Sequence, residues 1–597
     1  MPATSTLRFA FAALTFAAPA LAAQERPRTL DTLVAVASRA SAGGAVRSVT
    51  IISRDDVARS SARNVAELLS FQLGIDVYGR SAAQADISLR GSTAEQTLVL
   101  VDGIRMSDAQ SSHYALDLGV PLASIERIEI LRGAGSALYG SDAIGGVINI
   151  VTRRGAPSPA GHARGGSFGT YGAGLAGGTN LGRTALTSAA EYEQSNGYRA
   201  GTDYRIGQAR LSASTKAGQG QLEGNVAVGI RDFGANAFYA PYNSSERTGT
   251  FTADARWRTL AGGWSIATTA STRRHTDRFT LVKENPALYQ NEHTNWLNTG
   301  EIVARTAFGA ATVALGAEAS RTTLTSNRLG DRAESRGALF AEAAVNPTLS
   351  SVISFGIRGD RTSTFGGFLS PSVGVALPLA EGLQLHGSAG RGFRAPSWTE
   401  RYYSDPTSVG NADLVPEKFW SGDLGVRLGN DGPAAFDLTG FVRKADNLID
   451  WVKEANGPSG APWVATNVGE AHYRGLEASF SYPLSATVDA AVSGSLLHFE
   501  DSQGAGLIGK YALRPITRRA TAHLSYAPKG TVRTSIELVG ARRATEAGYL
   551  TGNARVEWRP GRIGFTIDLT NLGNAEWLDA SGQVVAGRGL YLGATLQ

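Results

Sequence analysis

From about residue 160 to Gln597, segments of roughly 9 to 15 residues alternate apolar and polar positions, separated by turns rich in Gly, Pro, Asn and Asp. Phe565-Thr566-Ile567-Asp568-Leu569-Thr570 is one such segment, Val532 to Leu538 another, and Leu590 to Leu596 closes the series. Successive side chains of a strand point to opposite faces, so a strict period of two builds one apolar and one polar face. A membrane barrel wall needs that division, with lipid outside and a wet lumen inside. Water-soluble antiparallel sheets share it, but no fixed repeat period marks a propeller or solenoid. The segments number about 22, and a barrel of that size encloses a lumen wide enough for a folded domain.

Upstream the pattern changes. Val49-Thr50-Ile51-Ile52, Ile87-Ser88-Leu89-Arg90, Thr97 to Val101, Ile125 to Leu131 and Val147 to Val151 read as short strands. Asn64 to Leu69 has helical spacing with Asn64 as cap, and Asp102-Gly103 reads as a turn. Residues 47–155 therefore predict a small α/β domain, the natural stopper for the lumen. Residues 24–46 are small and polar apart from Leu33 to Val36, and read as a flexible arm. Residues 1–23 carry an early Arg8, an apolar run from Phe9 to Leu21 and small residues at Ala20 and Ala22, the form of a secretory signal peptide. The expected fold class is an all-β transmembrane barrel of about 22 antiparallel strands (160–597) with a small N-terminal α/β plug domain inside its lumen.

Composition narrows the chemistry. The 597 residues contain no Cys, which removes disulfides, thiolate metal sites and cysteine nucleophiles. Beyond the first two dozen residues no apolar stretch is long enough for a membrane helix, while 72 Gly suit many strands and turns. The net charge of +5 is spread along the chain, so no nucleic-acid partner is expected. The eight His are dispersed and form no His-x-x-x-His pair, so an enzyme is not expected, nor a cofactor.

Several stretches resemble the TonB-dependent receptor family, and within it the vitamin B12 (cobalamin) receptor group. The most specific runs from Ile125-Glu126-Arg127-Ile128-Glu129-Ile130-Leu131-Arg132-Gly133 through Ser136 to Ile150 in unbroken register. Asn64 to Val77, with Leu68-Leu69 and Gly74-Ile75, and the segments Ile87 to Gly91 and Thr97 to Gly103 are similar to the family's other plug motifs. In the barrel, Gly392 to Ser397 with Pro416-Glu417-Lys418, Tyr473-Arg474-Gly475-Leu476-Glu477 and Leu569-Thr570-Asn571-Leu572 are similar to family signatures. Asp31-Thr32-Leu33-Val34-Ala35-Val36-Ala37 resembles the TonB box, the short strand gripped by the energising protein. One departure is the end, Leu596-Gln597, where family barrels commonly finish on an aromatic residue.

The resemblance implies a monomeric outer-membrane transporter, bathed in outer-membrane lipid and driven by TonB with the inner-membrane ExbB-ExbD motor. Its cargo would be a small nutrient: cobalamin or a related corrinoid, alternatively a ferric siderophore or haem, with a passive porin the remote alternative. Residues 31 to 37, β-branched and small without Pro, suit addition as a strand to a partner's sheet edge. The resemblance further implies that Arg90 and Arg132 lock the plug to barrel carboxylates Glu417 and Glu477. Substrate contacts are expected from outward plug loops at Ser81, Gln84, Asp86, Met106, Asp108, Gln110, His113 and Tyr114, and from the barrel loop at Phe238, Tyr239 and Tyr242. Calcium held by acidic extracellular loops is not expected, because 230–246 offers only Asp232 and Glu246. No metal site is assigned.

Overall fold

The computed structural model describes Ser38 and residues 46–596, apart from 240, 349, 430–433, 502–505, 512–513, 529 and 545. The proposed signal peptide and the 31–37 segment lie outside the described residues. From Ala160 onward, 22 antiparallel strands form a closed barrel. The last strand, Gly589–Leu596, pairs with the first, Ala160–Gly166, in the register Tyr591↔Gly166 to Leu596↔Gly161. Among the described residues no helix is long and apolar enough to cross a membrane.

Alternation along each strand sorts the faces. In Ile563–Thr570, Phe565 and Ile567 are exposed on the outer wall while Thr566 and Asp568 are buried in the lumen. Exposed outward residues such as Leu175, Leu339, Leu424 and Leu592 make the lipid-facing surface. The strands run from 7 residues, Ala160–Gly166, to 19, Gln290–Phe308. A tilted strand needs only about 10 residues to cross a bilayer, so the longer ones rise well above it. The two ends of the barrel differ. Tight turns at 182–183, 218–219 and 262–263 close one end, whereas the other carries long connections such as 395–416, 447–470 and 571–588. Short turns face the periplasm and long loops the exterior. On the exterior side, loop segments Ser404–Asp405, Ser408–Val409, Trp463–Asn467, Ile449–Glu454 and Leu507–Gly509 join in a separate five-stranded sheet.

The plug occupies the lumen. Its main sheet has the order Val49–Ser53, Ile125–Arg132, Gly146–Thr152, Thr97–Val101, Ile104–Arg105, all antiparallel except the pairing of Thr97–Val101 with Gly146–Thr152. Asn64 caps the helix Val65–Leu69 through a 2.9 Å bond from the Glu67 amide to its Oδ1. Leu69, Ile75, Ile128, Ile130, Ile148 and Ile150 are fully buried and hold the sheet to the helix and to the Ile75–Ser81/Gln84–Leu89 hairpin. Met106 is 2% exposed within this same core. It thus packs inward and does not face the exterior as the sequence led one to expect, its thioether lying among apolar neighbours.

Candidate functional site: the plug seat and the outer vestibule

The seam between plug and barrel is ionic. Arg90 donates to Glu477 at 2.6 Å and lies 3.8 Å from Asp423, its guanidinium 4.4 Å over the Phe441 ring. Its backbone is held at φ 49° and Gly91 follows at 71°, so the turn that aims this side chain is strained. Gly74 lets the barrel carboxylate come close: a Cβ there would stand 2.7 Å from Glu477 Oε1. Arg132 lies 4.0 Å from Glu477 but spends its donors within the plug, on Thr50 Oγ1 at 2.7 Å and the Leu73 carbonyl at 3.3 Å.

Glu417 meets neither plug arginine, which corrects the expected four-residue arrangement. It accepts from Arg394 of its own barrel wall at 2.9 and 3.0 Å, and its link to the plug is Gln96, which donates at 2.9 Å. Arg394 is the neighbouring cation by strand register, Arg394↔Glu417, and so neutralises the carboxylate before the plug reaches it.

The sequence reading missed the dominant polarity of this seam, in which plug carboxylates meet barrel arginines. Asp76 accepts from Arg543 at 2.7 and 2.9 Å, Asp102 from Arg210 at 2.5 Å, and Asp108 from Arg273 at 3.2 Å; Asp117 sits 3.0 Å from Arg231. The fully buried His275 has one ring nitrogen 3.0 Å from Asp108 and the other 3.7 Å from Asp117. Burial alone would raise the carboxyls of Asp102, Asp108 and Asp117. Arg210 for the first, His275 and Arg273 for the second, and Arg231 and His275 for the third hold them below their ordinary values instead. The signal was present in the sequence as arginines at inward positions of distant strands, which period two alone makes visible but does not pair.

Above the seam opens a vestibule. The structure brings Gln84, Asp86, His113 and Tyr239 together on one side of its floor. His113 Nδ1 lies 2.7 Å from Asp86, Arg80 sits 3.4 Å from the same carboxylate, and Gln84 donates to the Tyr239 hydroxyl at 3.4 Å. Two residues not singled out from sequence complete the group. Arg80 stacks 4.9 Å over Tyr239 and donates to the Tyr511 hydroxyl at 3.0 Å, and Tyr511 meets the His113 ring edge-on at 6.2 Å. Burial would raise the Asp86 carboxyl, but His113 and Arg80 hold it below its ordinary value.

On the other side a cavity of about 130 Å³ lies between the plug apex (Glu95, Arg105, Asp142) and barrel residues Glu334, Arg336 and Trp398. Arg105 is paired there with Asp142 at 2.9 Å. At the mouth, Tyr242 is exposed, and cations stack on aromatics: Arg328 over Tyr289 at 4.0 Å, Arg332 over Tyr402 at 3.8 Å, Lys453 over Trp463 at 4.6 Å.

The remaining expected substrate contacts are engaged elsewhere. Gln110 bridges Asp277 at 3.3 Å and Asn295 at 2.7 Å, and the buried Tyr114 donates to Glu246 at 3.0 Å, so with Asp108 they seat the plug. Ser81 is buried, its hydroxyl accepting from the Ala83 amide. Phe238 is buried against Phe233 and Tyr204. These side chains turn sideways or down because the barrel wall offers them partners that the open vestibule does not.

Comparison with known proteins matches this architecture. The description "TonB dependent receptor-like, beta-barrel" fits residues 143–584, and "TonB-dependent Receptor Plug Domain" fits 43–147. The chain is 27% identical over 464 residues to the vitamin B12 transporter BtuB of Photobacterium profundum, covering 72% of each chain. It is 28% identical over 555 residues to the iron-regulated outer membrane virulence protein of Vibrio cholerae, covering 84% of this chain and 82% of that one. Among solved structures, the siderophore receptor PirA from Acinetobacter baumannii superposes with a TM-score of 0.75 at 16% identity, over 92% of this chain and 98% of that chain. Barrel, plug and sequence together place the chain in the outer membrane as a member of the TonB-dependent receptor family, transporters and receptors rather than enzymes.

Proposed function

We propose that the protein imports a corrinoid, cobalamin or a close relative, with work delivered through residues 31 to 37. The observation that carries this reading is the pairing of charge on the vestibule floor. Arg80 with Asp86 and Arg105 with Asp142 neutralise one another, leaving aromatic and hydroxyl surfaces, Tyr239, Tyr511 and Tyr242, to a ligand. A broad, largely uncharged ligand is held by many such contacts, each weak alone. Similarity to vitamin B12 transporters supports the same choice. The arm would add as a strand to TonB, itself driven by ExbB-ExbD, with backbone hydrogen bonds providing the grip. The outer membrane holds no ATP, so the work must arrive by such a mechanical link.

A second reading, uptake of a ferric siderophore, rests on a different observation. The cation–aromatic stacks at the mouth, Arg328 on Tyr289 and Arg332 on Tyr402, suit an anionic aromatic chelate. Titration of the purified protein in detergent with cyanocobalamin and, separately, with a ferric tris-catecholate distinguishes the two. Saturable binding of cyanocobalamin alone is expected; binding of the ferric chelate alone replaces the first reading by the second.

A further inference from the structure

The outer wall of the barrel carries its charge unevenly. Outward-facing apolar side chains such as Ile302, Leu339, Ile357 and Leu369 form the lipid belt. The outward-facing cations Arg205, Arg247, Arg278, Arg321, Arg361 and Arg518 are exposed and lie toward the exterior ends of their strands. Arg247 stands directly opposite Arg278 on the next strand, and Arg518 opposite Arg542. Like charges opposed across a sheet repel, and an anion lying between them removes the penalty. Arg278 has Glu292 at 2.7 Å, and Arg205 and Arg247 both stand opposite the exposed Asp232, but Arg518 and Arg542 have no acidic partner among the described residues.

Within this basic collar one place is shaped to hold a molecule. A shallow groove of about 860 Å³ runs along the wall at Ala270, Asn298, Gly300, Ala319 and Ser335, with Arg321 and Arg361 in its lining. Arg321 is the cross-strand neighbour of Ser335, and Arg361 that of Gly337. The two guanidiniums thus flank a single strand whose outer face offers a hydroxyl and bare backbone. Arg321 donates to Ser335 at 3.3 Å, and neither arginine has an acidic partner among the described residues. A Cβ added at Gly300, Gly337 or Gly359 would meet nothing within 4 Å, so this surface is open. Toward the periplasm the wall continues into an apolar depression at Leu339, Ile357 and Leu369.

We propose that this groove binds a phosphorylated glycolipid of the outer leaflet, its phosphate held between Arg321 and Arg361 and an acyl chain lying along the depression below. Planar guanidiniums grip phosphate oxygens in pairs, and the apolar floor takes the chain. The surface faces the membrane, so the inference is independent of which nutrient the lumen carries.

Native mass spectrometry of the full chain in detergent tests it, with three added lipids: bisphosphorylated lipid A, the same lipid without phosphates, and phosphatidylglycerol. The wild type should retain the bisphosphorylated lipid A, with on the order of tenfold weaker retention of the other two. R321Q/R361Q should weaken lipid A retention on the order of tenfold, and G337L, which fills the groove and leaves both arginines, should weaken it comparably. Barrel closure of each variant is read from its heat-modifiable gel mobility. Equal retention of dephosphorylated lipid A or of phosphatidylglycerol by the wild type overturns the proposal, as does undiminished lipid A retention by a folded R321Q/R361Q.

Discussion

Arg543 reaches Asp76 through two hydrogen bonds of 2.7 and 2.9 Å, both side chains largely withdrawn from solvent. Removing one member of such a pair leaves the other charge buried without compensation. Arg543→Met should therefore loosen the plug by about 3 kcal/mol, read as faster proteolysis of residues 47–155 in the folded barrel. The double change Arg543→Met with Asp76→Leu should recover most of that protection, since an apolar pair of similar size avoids the desolvation cost. If the single change leaves proteolysis unaltered, the seam does not hold the plug at this point. At the vestibule floor the reasoning concerns contact area. Tyr239→Ala removes the ring on which Arg80 stacks, and cyanocobalamin affinity should fall about tenfold in the same titration with the barrel intact. An unchanged affinity would place the ligand elsewhere in the vestibule.

At the scale of elements, the strand Val49–Ser53 lies at one edge of the plug sheet, paired among the described residues only with Ile125–Arg132. An edge strand is the part of a sheet most readily detached, and it is the element nearest the arm that precedes it. Deleting residues 31 to 37 should leave ligand binding intact and abolish uptake into cells. Uptake that survives the deletion would sink the coupling mechanism. Much at this scale was legible beforehand. Period two exposed the barrel strands, because lipid on one side and water on the other permit no other pattern; Phe565 and Ile567 against Thr566 and Asp568 are an example. Asn64 announced its helix, and Asp102-Gly103 its turn, with positive φ at both residues. Pairings between plug and barrel were not legible. Which arginine meets Asp76 depends on the register of a strand more than 450 residues away, and no local pattern encodes that. Met106 was misplaced for a related reason: an irregular loop has no period from which the direction of a side chain can be read.

For the molecule as a whole, the distribution of ionisable groups fixes how the plug responds to acid. Asp102, Asp108 and Asp117 are each held below the ordinary carboxyl value by barrel cations, despite burial. A carboxyl whose folded value is depressed adds stability above its unfolded value and loses it as pH falls toward the folded one. Protease protection of the plug should therefore stay level from pH 7 down to about 4 and decline below that. A decline beginning near pH 6 would show that these three carboxyls do not set the plug's response to acid.

The closing seam between Ala160–Gly166 and Gly589–Leu596 bears on biogenesis. The plug precedes the first strand in the chain, and its cross-section fills the ring that the final strand completes. The side chains that seat it, Arg210, Arg273, Glu477 and Arg543, come from strands spread around that ring, so the plug's charges find all their partners only where plug and closed wall come together.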